Sequence, residues 1–348
     1  MISEKAVTEA LSRGIITRVQ AESLKSIEAE LAASRLDAPD EEKLRFITGF
    51  GDVFVAIGLV LFLSAIRYFG NLLAEPYAGG WIAVAAASWL LAEFFTRRRR
   101  MALPSILLLL AFCGAIFLAT TSVIAPHTET SMFDPSTGIA FIAGGALTAL
   151  GALLHYARFH VPITIAAGAA GLVAIFAGIL FAVGDGSLVI LLQPLLFLCG
   201  VAIFAAAMRF DMVDPLRQTR RTDIAFWLHL LAAPLIVHSV LSRMMSSDTL
   251  TSTTAFAILA VFIVLASVAV LVNRRAILVA GLSYTGFAFG TLIREAGFSS
   301  IAAPLTLLAL GALVLLLSAG WNFLRSRILR AVPEGWRTKL PPDLSPAT

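Results

Sequence analysis

The chain has 348 residues, 59% of them hydrophobic and only 14% charged, with a mean hydropathy of +0.89 and a formal net charge of +4. Soluble domains carry about a quarter charged residues, so disorder, a coiled coil and a soluble enzyme domain are excluded, and a polytopic membrane protein is expected. The basic balance implies no nucleic-acid partner, because the positive residues sit in short clusters beside apolar runs.

Residues 1–45 are polar and charged, and no cleavable leader is apparent, so the first apolar run, from about Phe46, is expected to be an uncleaved first span. The polar stretch predicts an amphipathic helical hairpin. A helix capped by Ser3 runs through Arg13 and stops at Gly14. Thr17 opens a second helix, and Gln20 completes a capping box. Leu24, Ile27 and Leu31 recur at three and four residues and give one apolar stripe. So short a piece holds little core of its own. The stripe therefore needs a cover, from the first span, the membrane surface or a protein partner. An acidic linker, 37–43, leads to the first span.

Ten segments are long and apolar enough to cross a hydrocarbon core of ~30 Å, which takes about 20 helical residues. They lie at roughly 49–68, 79–96, 103–124, 137–157, 161–183, 187–208, 224–242, 253–272, 276–293 and 301–321. Lipid offers no partner to a free backbone N–H or C=O, so the fold is all-α. With the N-terminus in the cytoplasm, all but three of the 26 Lys and Arg residues fall on the inside, the exceptions being Arg67, Arg243 and Arg294. Both termini are therefore expected to be cytoplasmic, the transmembrane domain covering 46–324 and a basic tail 325–348.

The stretch SRGIITRVQAESL (12–24), the short linker and IGLVLFLSA (57–65) resemble the opening of an uncharacterised bacterial family of multi-pass membrane proteins. That family is a domain of unknown function with a short cytoplasmic helical segment before its first span. The resemblance covers roughly residues 1–70. It implies a bacterial inner-membrane location and carries over no activity and no functional residues.

Ionisable groups within the spans are few. Asp52 suits the N-terminus of span one, and Glu93 lies one turn before Arg97 on one helix face. Gln193-Pro194 interrupts span six and Pro234 interrupts span seven, freeing the carbonyls of Ile190 and Leu230. Paired broken helices can build a site at membrane depth, which makes Gln193, His229 and His238 a candidate substrate or ion path with a histidine proton link. His229 and His238 project on opposite sides of a straight helix, about 13 Å apart along its axis, which excludes a two-histidine metal site. A kinked pair with interhelical histidine hydrogen bonds accounts for the same residues.

Arg67, Arg243 and Arg294 lie near the outer ends of spans one, seven and nine, each followed by an acidic residue, Glu75, Asp248 and Glu295. Convergence would let them ring a vestibule for a carboxylate or phosphate; snorkelling to lipid phosphates, with those acidic residues as local partners, accounts for them without convergence, which nothing in the sequence shows. In the loop 209–223, Asp214-Pro215 marks a turn, Thr222 or Asp223 caps span seven, and Arg217, Arg220 and Arg221 are placed to meet anionic headgroups. The loop 126–136, with His127, Glu129 and Asp134, reads as solvated. Gly286 and Gly290, and the run AAGAAG (166–171), predict close helix approach.

Cys113 and Cys199 stand alone in apolar runs and read as small hydrophobes. Phosphate-binding loops, zinc-protease and nucleophile-elbow motifs are missing from the sequence, so no metal, cofactor or catalytic set is expected. Two functions follow. One is a non-catalytic integral membrane protein acting in sensing, scaffolding or envelope homeostasis through its hairpin. The other is a secondary transporter or lipid translocator with a polar site between spans six and seven, its ten helices similar in architecture alone to drug/metabolite transporters.

Overall fold

The computed structural model describes residues 4–24, 26–27, 50–73, 78–125, 135–183, 187–214, 219–245, 251–337 and 340. The N-terminal hairpin and residues 44–341 belong to separate units. In the hairpin, α1 (Glu4–Ser12) ends at Gly14, whose φ of 67° lies in the left-handed region. Ile15 N–H donates to the Ala10 carbonyl at 2.9 Å and Gly14 N–H to that of Leu11 at 3.1 Å, a Schellman closure that glycine adopts without strain. The second helix, α2 (18–24), opens on the expected capping box. Thr17 N–H donates to Gln20 Oε1 at 2.9 Å and Gln20 N–H to Thr17 Oγ1 at 3.3 Å. Leu24 and Ile27 of the stripe are exposed. Ser3, Leu31 and the 37–43 linker lie outside the described residues.

Ten helices are long and apolar enough to cross a membrane, and no strand occurs among the described residues. They are α3 (Phe50–Leu73), α4 (Ala78–Ala92, continued by the π-helical segment Glu93–Arg98), α5 (Ala102–Ile124), α6 (Pro135–Phe159), α7 (Ile163–Val183), α8 (Leu192–Val213), α9 (Arg220–Met245), α10 (Ser252–Val272), α11 (Ala276–Glu295) and α12 (Ala302–Ala319). The chain is thus an all-α, multi-pass membrane protein. Its helices are apolar on every side, with large residues such as Leu61, Leu90 and Leu307 exposed where lipid would lie.

Sequence neighbours pack against one another, most extensively α6 on α7 and α8 on α9. Helix α9 also contacts α7, α10 and α11, so it joins the earlier helices to the later ones. Half of its membrane-length window is buried, against 6% for α12.

Three features depart from expectation. Residues 187–191 form a 3₁₀ turn and α8 starts only at Leu192, which puts Pro194 in the first turn. Its missing N–H there removes no bond of α8 itself, and the change from 3₁₀ to α falls just before it; among the described residues, Pro234 is the proline inside a helix. Second, α8 runs on to Val213 and α9 begins at Arg220, so most of 209–223 is helical. Thr222 and Asp223 fall inside the first turn of α9 instead of capping it. Thr219 takes that task, its Oγ1 accepting from Arg221 N–H at 3.3 Å, and the Asp214 carboxylate holds Thr219 in place, accepting from Thr219 N–H at 2.7 Å, Thr219 Oγ1 at 2.6 Å and Thr222 Oγ1 at 3.1 Å. Third, the basic tail begins as helix α13 (Trp321–Ala331), packed on α10, with Trp321, Arg325 and Leu329 buried at four-residue spacing.

Candidate functional site

The inward face of α8 carries Gly200, Ala207 and Asp211, spaced by seven and four residues. The helix extends beyond its apolar run, so the next inward position is a carboxylate, Asp211, buried in the last turn. A negative charge is disfavoured at a helix C-terminus and costly away from water, and the fold answers with two partners. His229 of α9, fully buried, meets Asp211 Oδ2 through Nε2 at 3.0 Å, its ring 5.0 Å from that of Phe204. Arg274 donates from Nε to Asp211 Oδ2 at 3.2 Å and from Nη2 to Asp211 Oδ1.

Local structure explains why Arg274 can reach. Helix α10 ends at Asn273, a residue type that tolerates the left-handed φ of 59° found there. Arg274 N–H closes that end on the Ala269 carbonyl at 2.8 Å, and the chain turns back over α8 and α9. Arg274 Nη2 also donates to the Thr222 carbonyl at 3.2 Å. Asn273 Oδ1 accepts from Trp321 Nε1 at 2.7 Å, and the Arg275 guanidinium stacks over the Trp321 ring, 5.1 Å from its centroid. One buried network thus ties α8, α9, the α10–α11 turn and α13.

One carboxylate and one guanidinium cancel in charge, so the imidazole serves as a hydrogen-bonding third member. A fork of this kind is far costlier to break than to leave intact. Its chemistry is that of a fastener. No group of three or more His, Cys, Asp or Glu that could hold a metal occurs among the described residues. No family model matches the chain, and neither a curated protein nor a solved structure matches it.

The residues expected to form one polar path go to separate places. Gln193 Nε2 donates to Ser242 Oγ at 3.0 Å, His238 Nδ1 meets the Tyr284 hydroxyl on an exposed face, and His229 joins Asp211. The two histidines face opposite sides of α9, in keeping with their angular spacing. Arg67 is exposed and stacks over Trp81 at 4.1 Å on a helix that packs chiefly against α4 and α5. Arg294 is exposed at the end of α11, which packs on α9, α10 and α12, so the structure does not bring it to Arg67. Glu295 Oε1 accepts from Ser252 N–H at 2.9 Å, at the start of α10. Arg220 and Arg221 are exposed at the start of α9. The side chain of Arg243, and Arg217, Glu75, Asp248, His127, Glu129 and Asp134, lie outside what is described.

Glu93 pairs with Arg97 at 3.2 Å as expected and also receives a fork from Arg158 at 2.7 and 3.1 Å, linking α4 to α6. Gly286 and Gly290 face Leu310 and Thr306 of α12. Cys113 is buried and Cys199 half-buried, both as free thiols. Sequence reasoning missed Asp211 and Arg274, having placed both in loops. The available signal was the inward spacing of Gly200 and Ala207, which points one turn further to Asp211.

Proposed function

We propose that the chain is a non-catalytic protein of a bacterial inner membrane, both termini cytoplasmic, that presents its N-terminal hairpin to a protein partner in sensing, scaffolding or envelope homeostasis. The observation that carries this reading is a hairpin closed by its own caps yet displaying apolar side chains: Ile15, Val19, Leu24 and Ile27 are 70, 72, 37 and 50% exposed. Covering such surface is worth roughly 25 cal/mol per Å², which favours a docked partner. The bundle's polar groups support the reading too, because Asp211, His229 and Arg274 bond to one another and Gln193 and His238 to separate neighbours. The arginine distribution supports the sidedness.

The test is complementation of a strain lacking the gene, scored as fitness across envelope stresses. The chain without residues 1–40, and the Leu24→Asp/Ile27→Asp variant, should both insert normally and fail to complement. Full complementation by the truncated chain overturns the proposal. An alkaline phosphatase fused after Thr348 should be inactive.

A second reading, a secondary transporter or lipid translocator, is favoured by one observation, the Asp211–His229 contact lying between the sixth and seventh spans. His229→Gln then abolishes proton-coupled uptake with insertion unchanged, whereas the scaffold reading leaves complementation intact.

A further inference from the structure

A cavity of about 570 Å³ lies between the α6–α7 pair and α8, floored by Leu228 of α9. Its walls carry small residues, Ala152, Gly168, Ala202 and Ala206, where the helices would otherwise close on each other. It is a groove open along its length: Leu172, Phe176, Ala202 and Ala206 on its walls are exposed. Along α7 the lining runs from Thr164 to Phe176, about 18 Å at 1.5 Å per residue. Half of a ~30 Å hydrocarbon core is about 15 Å. The groove thus starts at the helix ends and runs one leaflet deep.

The mouth at those ends is not apolar. Arg209 follows Ala206 by three residues and Ala202 by seven, so it continues the lining face of α8; it is exposed and makes no ion pair among the described residues. On the other side, His160 is the first residue past the end of α6, where its φ of 56° turns the chain; it is exposed, and its ring lies 5.7 Å from that of the lining residue Tyr156. An apolar slot of leaflet depth beneath a guanidinium and an imidazole matches one molecule, hydrocarbon below and phosphate above.

We propose that this groove is a binding site for an anionic phospholipid, one acyl chain between α6–α7 and α8 and its phosphate at Arg209 and His160. The site is independent of the hairpin and of the Asp211 network. Cavities of this size and lining are typical of ligand sites, and a cation at the membrane surface is worth about 1 kcal/mol toward an anionic headgroup, or about fivefold.

The test uses the full chain in mild detergent, incubated with phosphatidylglycerol or phosphatidylcholine and examined by native mass spectrometry. One phosphatidylglycerol should be retained per chain. Ala202→Phe and Ala206→Phe, which fill the slot, should each lower retention by about tenfold or more, since the excluded chain loses its apolar burial. Arg209→Gln should weaken phosphatidylglycerol by about fivefold and phosphatidylcholine, whose phosphate is compensated by its own ammonium, by less. Leu307→Phe, on the exposed face of α12, should change nothing. Undiminished retention in the two slot-filling variants, or loss of a dimer of the chain instead of a lipid, overturns the proposal. Should those variants misfold, maleimide labelling of Cys199 in the wild-type groove decides the matter: phosphatidylglycerol slows it if the chain occupies the slot, and an unchanged rate overturns the site.

Discussion

The pairs α6–α7 and α8–α9 are both antiparallel couples of apolar helices with a close glycine approach, Gly200 of α8 lying against Ile236 of α9, yet only the second adds a buried ionic network. In the first, Gly145 and Gly171 face each other so closely that a Cβ on either would lie 2.5 or 2.7 Å from the other's carbonyl oxygen. Gly138 and Gly178 repeat the approach, seven residues away on each helix: a Cβ on Gly178 would lie 2.8 Å from the Gly138 carbonyl oxygen. In lipid, where apolar contact between helices gains little over contact with acyl chains, such backbone approach supplies the dispersion that holds them. In the second pair, a buried carboxylate, imidazole and guanidinium close the end of the interface. The glycine seam joins two neighbours in sequence and depends on shape. The ionic network adds a third element from between α10 and α11 and depends on charge.

The comparison is broken most severely by removing one charge. Arg274→Met leaves Asp211 buried without its cation and should destabilise the protein by about 3–5 kcal/mol, read as a drop in the thermal unfolding midpoint in detergent. Asp211→Leu together with Arg274→Met should be less damaging than Arg274→Met alone, because no orphan charge remains. A double variant as unstable as the sum of its parts would mean that the two residues are not coupled. Next comes the seam: Gly171→Leu should cost about 1–3 kcal/mol by forcing α6 from α7. Gly168→Ala, whose Cβ would meet that of Ala152 at an ordinary 3.5 Å, should stay within about 0.5 kcal/mol of the parent. Equal losses at both positions would dissolve the seam as a distinct device.

One residue of the seam was readable beforehand: AAGAAG contains Gly171, and small residues at helical spacing carry their meaning within one segment, whereas Gly138, Gly145 and Gly178 were not singled out. The caps at Gly14 and Thr17 were readable for the same reason. The ionic network was not. Asp211 and Arg274 stand 63 positions apart, each near a helix end where charged residues are ordinary, and nothing in either segment names the other. The interruption at Pro194 was readable from the proline, but the 3₁₀ form of 187–191 was not, because hydropathy does not separate it from a continuing α-helix. Helix α13 was hidden by composition: its arginines suggested a solvated tail, although Trp321, Arg325 and Leu329 already share a face.

A smaller effect tests how far the network extends. Trp321→Phe keeps one aromatic ring but removes the pyrrole half with its N–H, so Asn273 Oδ1 loses its 2.7 Å donor and a void opens in a buried place. The expected loss is about 2 kcal/mol, from the hydrogen bond and the void together. If α13 is part of the same fastening, Trp321→Phe combined with Arg274→Met should be milder than the sum, since both act on the end of α10. Strict additivity would detach α13 from the Asp211 network.

The smallest effect belongs to Glu93, which sharpens the contrast between buried and exposed ion pairs. Its fork from Arg158 is as well formed as that of Arg274 on Asp211, yet its side chain and those of Arg97 and Arg158 are 31, 53 and 42% exposed. Water compensates exposed charges whether or not they are paired, and salt screens what remains. Glu93→Gln should therefore leave the unfolding midpoint unmoved at high salt, and any shift at low salt should vanish as salt is added. A salt-independent loss at Glu93 would show that geometry, and not burial, decides the strength of ion pairs at these helix ends.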